Sequence, residues 1–175
     1  MAFQRSQPGS ETLLVPVDGS SLALAAALKA VAYAKRLQAR LLIFTSIPIY
    51  QYPVYVGSIP FEYPNEEDYE RQCREIAHRY LDVVAQAASV AGVPASTLIE
   101  FNGGPAQAII EAARKNNCSL IFMGSHGRSG LSRAFLGSVA LKTLTLSHIP
   151  VFVDRPSEQE LKNAEEIMRK GAVDP

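Results

Sequence analysis

The sequence predicts a doubly wound α/β fold, in which a parallel sheet of five strands carries helices on both faces. Apolar runs of strand length alternate along the chain with segments of helical periodicity, which is the order of βαβ units. The strand runs are also continuously apolar, which is typical of parallel strands that are buried on both faces. No internal repeat of solenoid length is visible.

The first half of the chain supplies two strands and an Ala-rich helix. Thr12–Val17 is an apolar run that ends in the turn residues DGS, and we expect a buried strand there. The helix begins after Ser20 or Ser21, either of which can cap it, and continues to about Leu37. Arg40–Ile47 is the second strand.

A long loop and a long helix follow. Pro48–Pro64 contains four prolines and four tyrosines, which excludes a helix and predicts a partly ordered loop. Asn65 caps the next helix, and Gly92 ends it. The apolar positions of this helix predict one buried face, formed by Cys73, Ile76, Ala77, Tyr80, Val84, Ala87 and Ala91.

The second half continues the alternation of strands and helices. Strands are expected at Ser96–Phe101, Cys118–Met123 and Pro150–Asp154. Helices are expected from Pro105 to about Asn117 and from Gly137 to about Ser147. These elements complete a single domain.

We divide the chain into a flexible lead at 1–11, the α/β domain at 12–155 and a tail at 156–175. The tail has Leu161, Ala164 and Met168 on one helical face. This amphipathic stripe has to dock on the domain or on a partner subunit.

The composition narrows the classes of function. The chain has 175 residues, of which 47% are hydrophobic and 19% charged, so wholesale disorder is excluded. Its 17 Lys and Arg residues balance 17 Asp and Glu residues. A general nucleic-acid binder carries an excess of Lys and Arg, so that class of protein is not expected. The sequence contains no run of about 18 apolar residues, so no membrane span is predicted. Two cysteines form no disulfide framework, so we expect a cytoplasmic protein.

A glycine-rich loop from Gly124 to Leu136 is the clearest candidate for a ligand site. Glycines let backbone N–H groups approach a phosphate, and the helix start at Gly137 favours negative charge. We expect the amides there and the Ser138 hydroxyl to point at phosphates. The loop is not a Walker A loop, because no Gly-Lys-Ser/Thr completes it. It is not the dinucleotide fingerprint either, which directly follows the first strand.

The spacing of Gly124, Gly127, Gly137 and Ser138 resembles the ATP-binding motif of the universal stress protein family. The resemblance extends from Thr12 to about Arg155. Its other segments are VPVDGS at 15–20, Gly103-x-Pro105, MGSHGRSGL at 123–131, LGS at 136–138 and PVFV at 150–153. Several motifs in the right order make the match specific.

The resemblance implies a Rossmann-like fold, similar to the adenine nucleotide alpha hydrolases, that binds ATP with Mg²⁺ or Mn²⁺. By position, the adenine and ribose are assigned to Pro16, Val17, Asp18, Ser46, Met123 and Gly124. The phosphates are assigned to Gly127, Arg128, Gly137, Ser138 and Val139. Asp18 can also serve as a turn former, but its place at the expected switch point favours the ligand role.

The family resemblance further implies a homodimer through the last strand, Pro150–Asp154, in a stress-response or regulatory protein. An enzyme is not favoured, because no general base is identifiable near the γ-phosphate, and any ATP hydrolysis should be slow. The adjacent Ser125 and His126 have no orienting acid, so nucleophilic catalysis is not expected. A nucleotide-independent dimeric interaction protein, acting through the 48–64 loop and the tail, remains an alternative. A nucleotidyl or phosphoryl transferase is a weaker one.

Overall fold

A computed structural model describes residues 11–51, 65–127 and 136–171. The strands are β1 (Thr12–Pro16), β2 (Arg40–Ile47), β3 (Ala95–Phe101), β4 (Leu120–Gly124) and β5 (Val151–Asp154). The helices are α1 (Ser21–Leu37), α2 (Glu66–Ala91), α3 (Pro105–Lys115), α4 (Ser138–Leu146) and α5 (Glu158–Gly171). The elements follow the predicted order. Most of the predicted Pro48–Pro64 loop lies outside the described residues, as does the lead at 1–10.

All five strands are parallel and lie in the order β3-β2-β1-β4-β5, which confirms the predicted fold class. The chain builds the sheet outward from β1 to β3 and then crosses back to place β4 on the other side of β1. Strand order therefore reverses between β1 and β4. Ligands of open α/β sheets bind at such a switch point, outside the carboxyl ends of the strands.

Helices cover both faces of the sheet. Leu13, Leu41 and Ile43 point to the face covered by α1, α2 and α5. Leu14 and Phe44 point to the face covered by α3 and α4. Helix α1 lies close to the sheet because the side chains that it buries are mostly alanine.

The ends of α1 and α2 follow the predicted capping residues. Ser20 caps α1, since its Oγ accepts from the Ala23 N–H at 3.2 Å. Asn65 caps α2 by accepting from the Asp68 N–H at 2.8 Å. Gly92 ends α2 with φ +72°, a conformation that L side chains rarely adopt.

The buried face of α2 differs from the prediction. Fully buried positions are Ala77, Leu81, Val84 and Ala88. Cys73, Tyr80, Ala87 and Ala91 are only partly buried, and Ile76 is 54% exposed. The prediction was wrong for Ile76 because the first half of this face borders a cavity rather than the core.

The tail docks on its own domain. Ser157 begins α5 by accepting from the Glu160 N–H, and Glu160 Oε2 accepts from the Ser157 N–H at 2.7 Å. This reciprocal arrangement is a capping box. Ala164 is fully buried against the α1 and α2 face, where Leu161 and Met168 also pack. Within the described ranges, every helix is too short or too polar to cross a membrane.

Candidate functional site

The turn after β1 positions a carboxylate at the switch point. Asp18 Oδ1 accepts from the Ser20 N–H at 3.0 Å and from the Ser20 hydroxyl at 2.6 Å. Gly19 adopts φ +82°, which lets the chain turn sharply between the two. Asp18 therefore acts as a turn former, while its side chain also lines the cavity described below.

The start of the glycine-rich loop lies directly against Asp18. A Cβ built on Gly127 would collide with Asp18 Oδ2. Gly124 is less tightly packed, since a Cβ there would lie 3.4 Å from the Leu22 carbonyl oxygen, about an ordinary van der Waals contact. Glycine at position 127 is thus required for the loop and the carboxylate to occupy the same corner.

The two stems of the loop are hydrogen-bonded to each other. The Gly137 N–H donates to the Ser125 carbonyl at 2.8 Å, and a Cβ on Gly137 would lie 3.1 Å from that oxygen. The Gly137 amide, which we expected to face a ligand, is therefore engaged in closing the loop. In the first turn of α4, Ser138 and Val139 present backbone N–H groups that have no intrahelical acceptor.

These strand ends, α2 and the start of α4 enclose a cavity of about 540 Å³. All but one of the predicted site residues line it. They are Pro16, Val17, Asp18, Ser46, Met123, Gly124, Gly127, Gly137, Ser138 and Val139. The remaining one, Arg128, lies outside the described residues. Residues as far apart in the chain as Pro16 and Val139 therefore meet at one site.

The wall contributed by α2 was not predicted as part of the site. Tyr69, Cys73, Ile76 and Tyr80 line the cavity from this helix. Tyr80 Oη lies 2.9 Å from the Oγ1 of buried Thr45, which also lines the cavity. Helical periodicity marks these positions as one face but does not distinguish a face toward the core from a face toward a cavity.

Tyr69 closes this wall near the end of β2. Its hydroxyl donates to the Pro48 carbonyl at 3.0 Å, and its ring lies 5.3 Å from that of Tyr50. Partial burial, together with a hydrogen bond to Cys73, raises the pKa of Tyr69. The phenol therefore stays neutral at physiological pH.

Ser125 and His126 contact each other, but the serine is not placed as a nucleophile. His126 Nδ1 lies 3.2 Å from Ser125 Oγ, and His126 lines the cavity. Ser125 is only 3% exposed and is not among the residues that line the cavity. A substrate in the cavity therefore reaches the imidazole and not the hydroxyl.

A cation at this site would depend on the ligand. Among residues 11–51, 65–127 and 136–171, no group of three or more His, Cys, Asp or Glu side chains is arranged to hold a metal ion. Asp18 supplies one carboxylate in the cavity. That donor set fits Mg²⁺ bound mainly through phosphate oxygens and water, as Mg²⁺ commonly is in nucleotide sites.

Comparison with known proteins shows which family the chain belongs to. The sequence profile of the universal stress protein family matches residues 9–155. The chain belongs to this family. It is 33% identical over 153 residues to a universal stress protein of Methanocaldococcus jannaschii, covering 85% of this chain and 84% of the relative. It is also 33% identical over 147 residues to universal stress protein YxiE of Bacillus subtilis, covering 82% and 97%.

Solved universal stress proteins share the fold. UspA of Lactobacillus plantarum superposes with a TM-score of 0.66 at 24% identity, covering 85% of this chain and 100% of that one. The Archaeoglobus fulgidus protein in complex with dAMP gives 0.57 at 17% identity, covering 85% and 100%. An Arabidopsis thaliana family member with AMP bound gives 0.57 at 15% identity, covering 86% and 94%. At these identities, the likeness concerns the fold.

Proposed function

We propose that this universal stress protein binds ATP in the cavity at the switch point and acts as a homodimeric regulator in the stress response. The observation that carries the proposal is the convergence of Asp18, the start of the glycine-rich loop and the first turn of α4 on one cavity. A carboxylate suits ribose hydroxyl groups, and a helix N-terminus suits phosphates. Two relatives of the same fold carry AMP and dAMP, which supports an adenine nucleotide.

The residues divide by chemistry along the cavity. We assign the adenine to Pro16, Val17 and Ser46, which line the cavity at the ends of β1 and β2. We assign the ribose to Met123 and Gly124, at the end of β4, together with Asp18, which lines the same cavity. We assign the phosphates to Gly127 and to Ser138 and Val139, in the first turn of α4. Gly137, which closes the loop through its backbone N–H, has no side chain and therefore leaves room for them. We assign Arg128 to the phosphates as well, from the motif.

A divalent cation, Mg²⁺ or Mn²⁺, would accompany the triphosphate and neutralise part of its charge. Asp18 is the carboxylate in the cavity that can contribute to holding the cation, while phosphate oxygens and water supply the other ligands.

We expect hydrolysis of ATP to be slow. His126 lines the cavity, but its only hydrogen bond in the described part of the chain is to Ser125, so no acid orients it as a general base.

The dimer is proposed through β5, which is an edge of the described sheet. Both cysteines are free thiols, which agrees with a protein that works in the reducing cytoplasm. In the alternative, a nucleotide-independent interaction protein acts through the 48–64 loop and the tail. Its use of the tail is disfavoured because the apolar stripe of α5 is buried against its own domain.

The proposal is tested by nucleotide binding. The freshly purified protein is denatured and its supernatant analysed for nucleotides, and the apo protein is then titrated with Mg-ATP by calorimetry. Gly127→Ala places a methyl group against Asp18 Oδ2 and displaces the carboxylate. We expect its ATP affinity to fall about tenfold or more, which corresponds to about 1.4 kcal/mol.

Gly103→Ala is the matched control, because a Cβ at Gly103 meets nothing within 4 Å and the residue does not line the cavity. Its affinity should equal that of the wild type. A folded Gly127→Ala variant with unchanged ATP affinity would contradict the assigned site. Absence of bound nucleotide and of binding heat in the wild type would contradict ATP binding itself and favour the interaction protein.

A further inference from the structure

We propose that Lys29, Asp154 and Glu160 form a positioning network through which helix α5 sets the positions of Ser125 and Gly137, the two ends of the glycine-rich loop. The inference rests on the proposed nucleotide function, because the loop is assigned to the phosphates. None of the three residues lines the cavity. They reach the site only indirectly, through the ion pairs of Lys29 and the backbone hydrogen bonds that run from Asp154 to Ser125 and Gly137.

The network joins three elements at one ammonium group. Lys29 of α1 places Nζ 3.0 Å from Asp154 Oδ1, at the end of β5, and 2.9 Å from Glu160 Oε1, in the first turn of α5. The other Glu160 oxygen accepts from the Ser157 N–H. Glu160 therefore connects the cap of α5 to Lys29, and Lys29 connects α1 to the end of β5.

From Asp154 the contacts continue along the backbone to the site. The Asp154 carbonyl accepts from the Ser125 N–H at 2.8 Å, and the Ser125 carbonyl accepts from the Gly137 N–H at 2.8 Å. Ser125 and Gly137 are the two stems of the loop. The position of Asp154 thus fixes where the loop leaves β4 and where it returns to α4.

The Asp154 carboxylate is sensitive to the loss of Lys29. Its side chain is 8% exposed, and Oδ2 is buried without a hydrogen-bond partner in the described part of the chain. A buried carboxylate with one oxygen already unpaired depends strongly on the cation at the other. If Lys29 is removed, we expect the end of β5 to move toward water and to carry Ser125 with it.

The test compares Lys29→Met with Lys35→Met in the full-length protein. Lys35 is an exposed lysine in the last turn of the same helix, so both variants make the same chemical change. Two quantities are measured: hydrogen exchange of the Ser125 and Gly137 amides, and affinity for ATP and, by competition, for adenosine. Lys29→Arg, which keeps the charge, serves as a rescue.

We expect Lys29→Met to speed exchange at both amides and to weaken ATP binding about fivefold, within the range of mutations that act through intervening contacts. Adenosine affinity should change less than about twofold, because the loop holds phosphates rather than the base. Lys35→Met and Lys29→Arg should match the wild type. Equal losses of affinity for ATP and adenosine would overturn the inference, because a purely structural role lowers stability without changing the ratio of the two affinities. Unchanged hydrogen exchange at Ser125 and Gly137 would overturn it as well.

A second pair covers the case in which Lys29→Met does not fold. Glu160→Gln removes one anion of the network, whereas Glu166→Gln removes the exposed partner of Lys170 on the same helix. Only Glu160→Gln should alter hydrogen exchange at Ser125 and Gly137 and the ratio of ATP affinity to adenosine affinity. Identical behaviour of Glu160→Gln and Glu166→Gln would overturn the inference. If the wild type binds neither ligand, the proposed nucleotide function fails, while exchange at Ser125 and Gly137 still decides the positioning role.

Discussion

Asp18 shows how one side chain can serve a turn and a site together. Its Oδ1 accepts two hydrogen bonds from Ser20, so this oxygen holds the turn that leads into α1. Its Oδ2 lies against Gly127, at the start of the glycine-rich loop. Oδ1 therefore has a structural role in the turn, and a substitution that keeps an acceptor for Ser20 tests whether the charge of Asp18 also serves the ligand.

Asp18→Asn keeps an acceptor oxygen for Ser20 and removes the negative charge from the cavity. We expect the free energy of unfolding to change by less than about 1 kcal/mol. ATP affinity should fall about tenfold or more, because a hydrogen bond to a charged group contributes about 1.5–3 kcal/mol. Asp82→Asn, at an exposed position on α2, controls for the change in net charge. Equal effects of the two variants on ATP affinity would exclude a ligand role for Asp18.

Residue patterns predicted the strand-end half of the site and missed the helical half. Asp18 and Gly124 could be placed because the carboxyl ends of parallel strands lie at one edge of the sheet, and Pro16 was placed by the resemblance to the family. Ile76 and Tyr80 could not, because periodicity identifies a helix face without showing what lies opposite it. The space beside α2 depends on how the helix is tilted over the sheet, which no local pattern encodes.

At the scale of elements, the boundaries of strands and helices were predicted to within about two residues, since caps and turn residues define them. Strand β4 begins at Leu120 rather than at Cys118, because Asn117 adopts φ +50° and the chain is still turning. The docking of α5 was left open between the domain and a partner. Its stripe is short, and the sequence alone does not show that α1 and α2 present an apolar surface on which it packs.

The cap of α5 predicts a dependence of stability on pH. The hydrogen bond from the Ser157 backbone, followed by that from Lys29, lowers the pKa of Glu160 to about 2, from an ordinary value of 4.5. Because the folded-state pKa is the lower one, the carboxylate stabilises the folded protein above about pH 4.5. This contribution is lost as the pH falls from about 4.5 toward 2.

We therefore expect the difference in Tm between the wild type and Glu160→Gln to be constant from pH 7 to about 5 and to shrink toward pH 3. Thermal unfolding followed by circular dichroism measures it. Glu75→Gln, at an exposed position on α2, is the control for the loss of a glutamate outside the cap. A Glu160→Gln difference that does not depend on pH would contradict the role of Glu160 in the cap.

At the scale of the whole molecule, the β5 edge of the described sheet suits association with a second copy. In the described ranges, β5 pairs only with β4. Apolar side chains flank this edge: Phe152 is 38% exposed, and Leu141, Leu144 and Leu146 of α4 are exposed as well. Four strand residues alone bury too little area for a stable dimer, so these neighbours have to contribute. The opposite edge, β3, provides an internal comparison.

The proposed dimer predicts that a proline will act at one edge and not at the other. The Pro150 and Asp154 carbonyls accept from β4, so by alternation the N–H of Val153 points away from the sheet. By the same alternation, Thr97 of β3 also points its N–H outward, since the Pro94 carbonyl and the Asn102 N–H pair with β2. Neither proline removes a hydrogen bond within the sheet, because each replaces an N–H that points outward. Val153→Pro should therefore give a monomer in light scattering, whereas Thr97→Pro should leave a dimer. A Val153→Pro protein that folds and remains dimeric would move the interface away from β5, and a Thr97→Pro monomer would assign it to β3.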